Sequence, residues 1–157
     1  MTETTSTPLL RQDDERGVTT LTLNRPNAFN ALSEELLTAL QHEIDDLSKS
    51  TKVRVVIVQA AGKAFCAGHD LRQMRAEPSM AYYQKLFSQC GEMMMSIQKL
   101  QVPVIAKVQG IATAAGCQLV AQCDLAVASS EAKFAVSGVN LGLFCATPSV
   151  ALSRNVS

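Results

Sequence analysis

The chain has 157 residues, of which 47% are apolar and 18% are charged, and its 14 basic and 14 acidic residues give a formal net charge of zero. A chain of this length and apolar content buries one core and is not disordered. The balanced charge and the lack of basic runs argue against a nucleic-acid or anionic-membrane partner, and no apolar run approaches the roughly 18 residues of a membrane span.

The first part of the chain predicts a flexible tail over residues 1–8, followed by a domain over residues 9–157. No basic residue precedes Arg11, so neither a secretory signal nor a transit peptide is predicted. The five cysteines lack the spacing of metal ligands. We interpret them as reduced and mostly buried thiols, which favours a cytoplasmic protein without a metal site.

The next segments alternate apolar and polar residues in two different ways. Residues 9–15 and 17–24 are rich in Thr, Val and Leu, which predicts a β-hairpin. Ser33 is a candidate N-cap, and leucines and isoleucine follow it at helical spacing up to Leu47. The sequence therefore predicts a helix with one apolar face after the hairpin.

Strands and helices alternate through the rest of the chain. Strands are predicted at 53–58, 104–108 and 125–128, and helices at 80–100 and 114–122. The strand segments are nearly continuous apolar runs, typical of strands buried on both faces of a parallel sheet. This order predicts an α/β protein with a parallel-rich sheet flanked by helices.

Two loops of small residues, 62–71 and 109–118, follow predicted strands, at the edge where open α/β sheets bind ligands. Small side chains let a ligand approach the backbone, and the first turn of a helix has free N–H groups. Two such loops facing one another form an oxyanion hole, in which two N–H donors hold one oxygen. Tight packing alone also explains small residues at these turns, and no phosphate-loop or dinucleotide glycine motif is present.

Three segments together resemble the enoyl-CoA hydratase/isomerase family, also called the crotonase superfamily: NRPNAFNAL at 24–32, AFCAGHDL at 64–71 and AAGCQLVAQCD at 114–124. The resemblance covers residues 9–157. It implies a crotonase (ClpP-like) fold, in which repeated β-β-α units form the sheet. It also implies that C-terminal helices of the family are missing, so that this core domain is expected to be incomplete.

The resemblance implies an acyl-CoA thioester substrate, whose carbonyl lies between the main-chain N–H groups of His69 and Ala115, with Gly116 in the same turn. A thioester enolate is then the shared intermediate of the family's reactions. Coenzyme A enters as part of the substrate, and no separate cofactor is implied. The residues that match the family's CoA-holding positions are Asn27, Ala28, Ala67, Gly68, Asp70 and Leu71.

The sequence departs from the family at both glutamates with which its hydratases activate water. Gln118 stands at the first position and Gly138 at the second. Glutamine hydrogen-bonds a water but does not exchange a proton with it near neutral pH. His69 is a candidate acid or base, since histidine titrates near neutrality, and a structural histidine bonded to Asp70 is an equal alternative.

Three hypotheses remain open at this point. The first is a hydratase- or isomerase-like enzyme of fatty-acid metabolism. The second is a non-catalytic acyl-CoA binding or regulatory protein that has lost the acid/base pair, and the third is a thioesterase, isomerase or decarboxylase of the same fold. In each case the resemblance implies a homo-oligomer, a trimer or a dimer of trimers, for the full-length protein.

Overall fold

A computed structural model of the protein describes residues 7–156, which form two sheets and the helices that cover them. The strands in this part are β1 (Leu9–Asp13), β2 (Val18–Leu23), β3 (Val55–Ala60), β4 (Ala64–Cys66), β5 (Val104–Val108), β6 (Ile111–Thr113), β7 (Leu125–Ala128) and β8 (Lys133–Ala135). The larger sheet has the order β1-β2-β3-β5-β7, and the smaller sheet has the order β4-β6-β8. All neighbours are parallel except the antiparallel pair β1 and β2.

The helices follow the strands in a repeated pattern. In the described residues they are α1 (Glu34–Leu47), α2 (Leu71–Ala76), α3 (Met80–Gln98), α4 (Ala115–Gln122) and α5 (Ala146–Asn155), with short 3-10 helices at Pro26–Ala28 and Ser137–Leu141. Three times, a strand of the larger sheet is followed by a strand of the smaller sheet and then by a helix: β3-β4-α2, β5-β6-α4 and β7-β8-α5. The predicted α/β class and its β-β-α units are confirmed.

The core lies between the larger sheet and helices α1 and α3. Ser33 caps α1 by accepting a hydrogen bond from the N–H of Leu36 at 3.3 Å, as predicted. The apolar face of α1 is fully buried, and so are Met93 and Met94 of α3. The hairpin is also confirmed, since Leu9 pairs with Leu23 in β1 and β2.

The prediction that the central strands are buried on both faces is wrong. In β3, Val56 and Val58 are buried, whereas Val55, Ile57 and Gln59 on the opposite face are only half-buried. There Lys107 donates a hydrogen bond to Gln59 at 3.3 Å. A run of β-branched residues does not distinguish these two cases, because Val55 and Ile57 are apolar but only half-buried.

Strand β7 is predicted as a buried strand but is exposed throughout. Leu125 and Val127 are 60% and 65% exposed. In the part of the chain that the structure describes, β7 pairs only with β5 and forms the edge of the larger sheet. No described element packs on the apolar residues of β7, and they therefore lie at the surface.

The two remaining predictions concern the N-terminal tail and membrane spans. Residues 1–6 of the predicted flexible tail lie outside the described residues, while the carbonyl of Pro8 accepts a hydrogen bond from the N–H of Asn24 at 2.8 Å. None of the helices between residues 7 and 156 combines the length and apolarity that crossing a membrane requires.

Candidate functional site

The two small-residue loops come together because β4 pairs with β6. Strands that run in parallel deliver the residues that follow them to the same edge of the sheet. Gly68 lies after β4 with φ of +93°, and a Cβ on it would stand 3.3 Å from the nitrogen of Ala115. The loop after β4 therefore touches the first turn of α4 directly.

The main-chain N–H of His69 points away from the segment with which its loop pairs. The N–H of Leu32 donates to the carbonyl of Gly68 at 2.8 Å, and the N–H of Asp70 donates to the carbonyl of Leu32 at 3.2 Å. Successive backbone groups of an extended segment face opposite sides. The N–H of His69, between them, therefore faces the other side and has no acceptor among residues 7–156.

The N–H of Ala115 is free for a different reason. Ala115 is the first residue of α4, and the first N–H groups of a helix have no acceptor within it. The preceding residue, Ala114, has φ of +49° and ψ of −124°, a conformation that L residues rarely adopt. It is held there from both sides: its N–H donates to the carbonyl of Ala135, and its carbonyl accepts from the N–H of Gln118.

Replacement of Ala114 by glycine is expected to stabilise the protein. Glycine adopts a positive φ without strain, and this gain exceeds the extra entropy of the unfolded chain, so Ala114→Gly should raise the free energy of unfolding by about 1 kcal/mol. The matched control is Ala39→Gly in the middle of α1, which should lower it by about 1 kcal/mol. Urea denaturation of both variants checks the prediction, and a loss of stability in both would contradict the strain at Ala114.

An apolar cavity of about 370 Å³ lies against these two loops. His69 and Ala115 both contribute to its wall. In the described part of the chain no Asp or Glu lines it, and the other lining residues are Ala67, Leu71, Met74, Phe87, Ala114, Ser137, Gly138, Leu143, Phe144, Cys145, Ala146, Thr147 and Pro148. The two residues that carry these N–H groups thus border a space with little competing polarity.

The imidazole of His69 is held in the cavity wall by packing. Its ring meets the ring of Phe87 edge-on, with centroids 5.1 Å apart and planes at 87°. Nδ1 is buried and has no hydrogen-bond partner in the part of the chain that the structure describes. Burial lowers the pKa of His69 from 6.5 to about 4. The ring is therefore neutral at pH 7. It does not serve as an imidazolium general acid at this pH.

Asp70 is not the partner of His69. Its carboxylate accepts hydrogen bonds from Arg25 at 2.9 Å and from the N–H of Arg72 at 3.1 Å, the latter capping α2. Burial alone would raise the pKa of Asp70, but these hydrogen bonds outweigh it and lower the pKa overall. The Arg25–Asp70 pair joins the start of the Pro26–Ala28 helix to the loop after β4.

The structure brings together some of the predicted site residues and separates others. Ala67, His69, Leu71 and Ala115 line the cavity, and Gly68 touches Ala114 and Ala115. The remaining predicted residues are outside the set that lines it: Asn27, Ala28, Asp70, Gly116 and Gln118. Gly116 instead packs against β4, where a Cβ would overlap the carbonyl group of Cys66.

The two positions without glutamate differ in their surroundings. Gln118 is 95% buried, and its Oε1 has no hydrogen-bond partner among the described residues. Gly138 lines the cavity, and a Cβ on it would stand 2.5 Å from the Sγ of Cys145. The thiol of Cys145 therefore occupies the space that a side chain at position 138 would need.

Sequence reasoning missed Phe87 and Cys145 as cavity residues. Phe87 lies on the predicted helix 80–100 but off its buried face, with 47% of its surface exposed. An aromatic residue on the exposed face of this helix is the sequence signal that could have identified it. Cys66 and Cys117 pack as expected, and burial raises the pKa of the Cys66 thiol to about 12. They are not nucleophiles of this cavity.

Comparison with known proteins decides the family. Residues 13–156 match the family model described as enoyl-CoA hydratase/isomerase. The chain belongs to the enoyl-CoA hydratase/isomerase family. A crystal structure of enoyl-CoA hydratase from Mycobacterium smegmatis is 64% identical, with a TM-score of 0.95 over 97% of this chain and 59% of that one. The predicted crotonase fold is confirmed with it.

The chain is also similar to proteins called enoyl-CoA hydratase domain-containing protein 3. Enoyl-CoA hydratase domain-containing protein 3 from Xenopus laevis is 47% identical over 150 residues, which are 96% of this chain and 51% of the relative. The human protein of that name has a crystal structure with 45% identity and a TM-score of 0.88, over 94% of this chain and 58% of that one. The chain thus spans about half the length of the curated relatives it matches.

The expectation of a cytoplasmic protein is wrong. The curated family members with 45–47% identity are mitochondrial by name. The expectation rested on five free cysteines, and free thiols report a reducing environment rather than a particular compartment.

Proposed function

We propose that this family member binds acyl-CoA thioesters in the apolar cavity, with the thioester carbonyl oxygen between the N–H groups of His69 and Ala115. The proposal is supported chiefly by these two main-chain donors, which come from touching loops and are left free by the pairing at Leu32 and by the start of α4. It is further supported by relatives whose names specify CoA thioesters as substrates.

The chemistry of such a pair is stabilisation of an enolate. Two fixed N–H donors favour negative charge on the thioester oxygen, and an apolar surrounding strengthens both hydrogen bonds. The carbon next to the carbonyl then loses a proton more readily. Because main-chain groups do this work, the alanine at position 115 serves as well as a glycine.

The rest of the ligand is proposed to lie along the residues that match the family's CoA-holding positions. Ala67 and Leu71 line the cavity, Gly68 touches Ala114 and Ala115, and Asn27 and Ala28 lie in the 3-10 helix Pro26–Ala28. Asp70 would act indirectly, by fixing that helix through Arg25. Coenzyme A is part of the substrate in this proposal, and no separate cofactor takes part.

The lack of a carboxylate supports a second candidate, a non-catalytic acyl-CoA binding protein. No Asp or Glu of the described residues lines the cavity, Gln118 exchanges no proton near pH 7, and the His69 ring is neutral there because burial lowers its pKa. The two candidates share the binding step and differ in turnover.

Calorimetry with butyryl-CoA and with free CoA tests the shared step. The thioester is expected to bind more tightly than free CoA, because only the thioester presents a carbonyl to the two N–H donors and an acyl chain to the cavity. Equal binding of the two, or binding of neither, would contradict the proposed function.

Restoring both glutamates is expected to separate the candidates. The Gly138→Glu change needs room, since Cys145 Sγ stands 2.5 Å from the required Cβ, so the variant combines Gln118→Glu, Gly138→Glu and Cys145→Ala. Crotonyl-CoA hydration, followed by loss of the enoyl absorbance, should rise about 100-fold or more above the parent protein, as general acid/base catalysis contributes on this scale.

The control for this experiment keeps the shape and removes one acid. It carries Gln118→Glu, Gly138→Gln and Cys145→Ala and should show much less gain. No gain in the two-glutamate variant, with butyryl-CoA still bound, would count against a hydratase-like cavity and favour the binding protein.

We also propose that the full-length protein forms a homo-oligomer, a trimer or a dimer of trimers. The exposed apolar residues on the edge of the larger sheet, Leu125 and Val127, are consistent with contacts beyond the described residues. Light scattering of the full-length protein tests this proposal, and a monomer would contradict it.

A further inference from the structure

The peptide group between Gly68 and His69 sets the direction of one main-chain donor in the proposed function. A peptide group is planar and trans, so its C=O and its N–H point in opposite directions. The carbonyl of Gly68 accepts a hydrogen bond from the N–H of Leu32 at 2.8 Å, and the N–H of His69 therefore points away from Leu32. Contacts that hold Leu32 against Gly68 thus also fix the direction of this N–H.

Glycine at position 68 makes this peptide group easy to rotate. Gly68 has φ of +93°, and glycine adopts positive φ about as readily as negative φ. A rotation of the Gly68–His69 peptide group would exchange the directions of its C=O and its N–H. The orientation that the carbonyl site needs is therefore held by contacts outside the peptide group.

The side chain of Arg25 lies on both sides of the pairing between Leu32 and His69. Nη1 of its guanidinium donates to the carbonyl of Ala31, and Nη2 donates to the carboxylate of Asp70 at 2.9 Å. Ala31 precedes Leu32 in the chain, and Asp70 follows His69. One side chain thus joins the two segments that carry the pairing.

The main chain of Arg25 is itself fixed. Its N–H donates to the side chain of Asn30 at 2.8 Å, and its carbonyl accepts from the N–H groups of Ala28 and Asn30 at 2.9 Å each. Asn30 is fully buried, and its amide donates to the carbonyls of Ala61 and Ala64, around the turn between β3 and β4, at 2.8 Å each. The guanidinium therefore extends from a rigid base.

Burial makes the contact between Arg25 and Asp70 consequential. Their side chains are only 25% and 10% exposed. Burial raises the pKa of Asp70, but hydrogen bonds from Arg25 and from the N–H of Arg72 outweigh it, so that the carboxylate is ionised at pH 7. A buried carboxylate that loses its cation is unfavourable unless it moves toward water. The N–H of Asp70, which donates to the carbonyl of Leu32 at 3.2 Å, would move with it.

We propose that Arg25 is a positioning residue of the carbonyl site. Its guanidinium holds the Gly68–His69 peptide group in the orientation that aims the N–H at the thioester oxygen. This inference rests on the proposed function, because it concerns one of the two donors in it. Arg25 is outside the set of residues that line the cavity, so its replacement acts on recognition of the carbonyl and leaves the contacts of the acyl chain in place.

Calorimetry with butyryl-CoA and S-butyl-CoA, in which a methylene group replaces the thioester carbonyl, tests the inference. The ratio of the two affinities measures recognition of the carbonyl, since contacts of CoA and of the alkyl chain are common to both ligands and cancel. The wild-type ratio should be about ten or more, the worth of two neutral hydrogen bonds. Arg25→Met should lower it by about threefold to tenfold, the worth of one. Weaker binding of both ligands at an unchanged ratio would overturn the inference.

Arg25→Lys distinguishes bracing from charge. Lysine keeps a positive charge for Asp70, but its single ammonium group replaces a planar fork and does not hold Ala31 and Asp70 in the same geometry. Its ratio should also be lowered, whereas a ratio equal to that of the wild type would assign the effect to charge alone and contradict the bracing. This variant also serves if Arg25→Met does not fold, because Asp70 then keeps a cation.

The matched control is Arg11→Met. Arg11 joins β1 to α1 through Glu43 at 3.0 Å and Asp46 at 2.6 Å, and none of these three residues lines the cavity. The change removes a similar group of ion pairs and should leave the ratio unchanged. An equal fall of the ratio in this control would contradict a specific role of Arg25.

The outcomes separate this inference from the proposed function. A wild-type ratio of one would overturn the proposed carbonyl site and this inference with it. A wild-type ratio of about ten that persists in both Arg25 variants would overturn the positioning role alone. Circular dichroism of each variant checks that it is folded.

Discussion

Gly116→Ala should lower the free energy of unfolding by about 3 kcal/mol, the upper part of the usual range for overpacking a close contact. A Cβ on Gly116 would overlap the carbonyl oxygen of Cys66 and lie 2.7 Å from its carbonyl carbon. This neighbour is backbone of β4, which is paired with β6 and cannot turn aside as a side chain does. Helix α4 must therefore move outward, and the N–H of Ala115 moves with it.

The matched control is Gly91→Ala, in the middle of α3. A Cβ there meets nothing within 4 Å, so the change should raise the free energy of unfolding by about 1 kcal/mol, the gain of alanine over glycine in a helix. Urea denaturation measures both variants. Two changes of the same sign would contradict the close contact between α4 and β4, and unimpaired butyryl-CoA binding by Gly116→Ala would contradict the role of Ala115.

The second large effect is a pH dependence of stability that originates in His69. Burial lowers the pKa of its imidazole from 6.5 to about 4 in the folded protein. Between these two values the unfolded chain takes up a proton that the folded protein does not, so stability falls as the pH falls from about 6.5 to 4. A difference of this size corresponds to about 3 kcal/mol.

A comparison with His69→Gln isolates this contribution, because other titrating groups are shared by both proteins. The difference in free energy of unfolding between wild type and variant should be constant above pH 6.5. It should then shift by about 3 kcal/mol against the wild type on acidification to pH 4. Urea denaturation across the pH range measures the difference, and parallel curves would contradict the burial of the imidazole.

The elements that the sequence predicts well are those whose apolar pattern is long. Helix α1, with its Ser33 cap, and helix α3 are found close to their predicted bounds. The strands β4, β6 and β8 were not predicted, since each has three residues. Such short strands form through pairing with distant segments rather than through a local pattern.

In the site, too, the sequence predicts what local motifs encode but not the contacts between segments far apart in the chain. The motifs identified the loops that carry His69 and Ala115, and the structure places both residues on one cavity. The strained backbone of Ala114 was not predictable, because it depends on the hydrogen bond to Ala135 on β8. Nor was the contact between Cys145 and Gly138, since it results from how the turn at 137–145 folds back.

The most direct test compares butyryl-CoA with its thioether analogue S-butyl-CoA, in which a methylene group replaces the thioester carbonyl. If the N–H groups of His69 and Ala115 hold the carbonyl oxygen, the thioester should bind about tenfold or more tightly than the thioether, the worth of two neutral hydrogen bonds. The advantage should persist in His69→Phe, which keeps the main-chain donor. Equal affinities for the two ligands, measured by calorimetry, would contradict a carbonyl site at these two N–H groups.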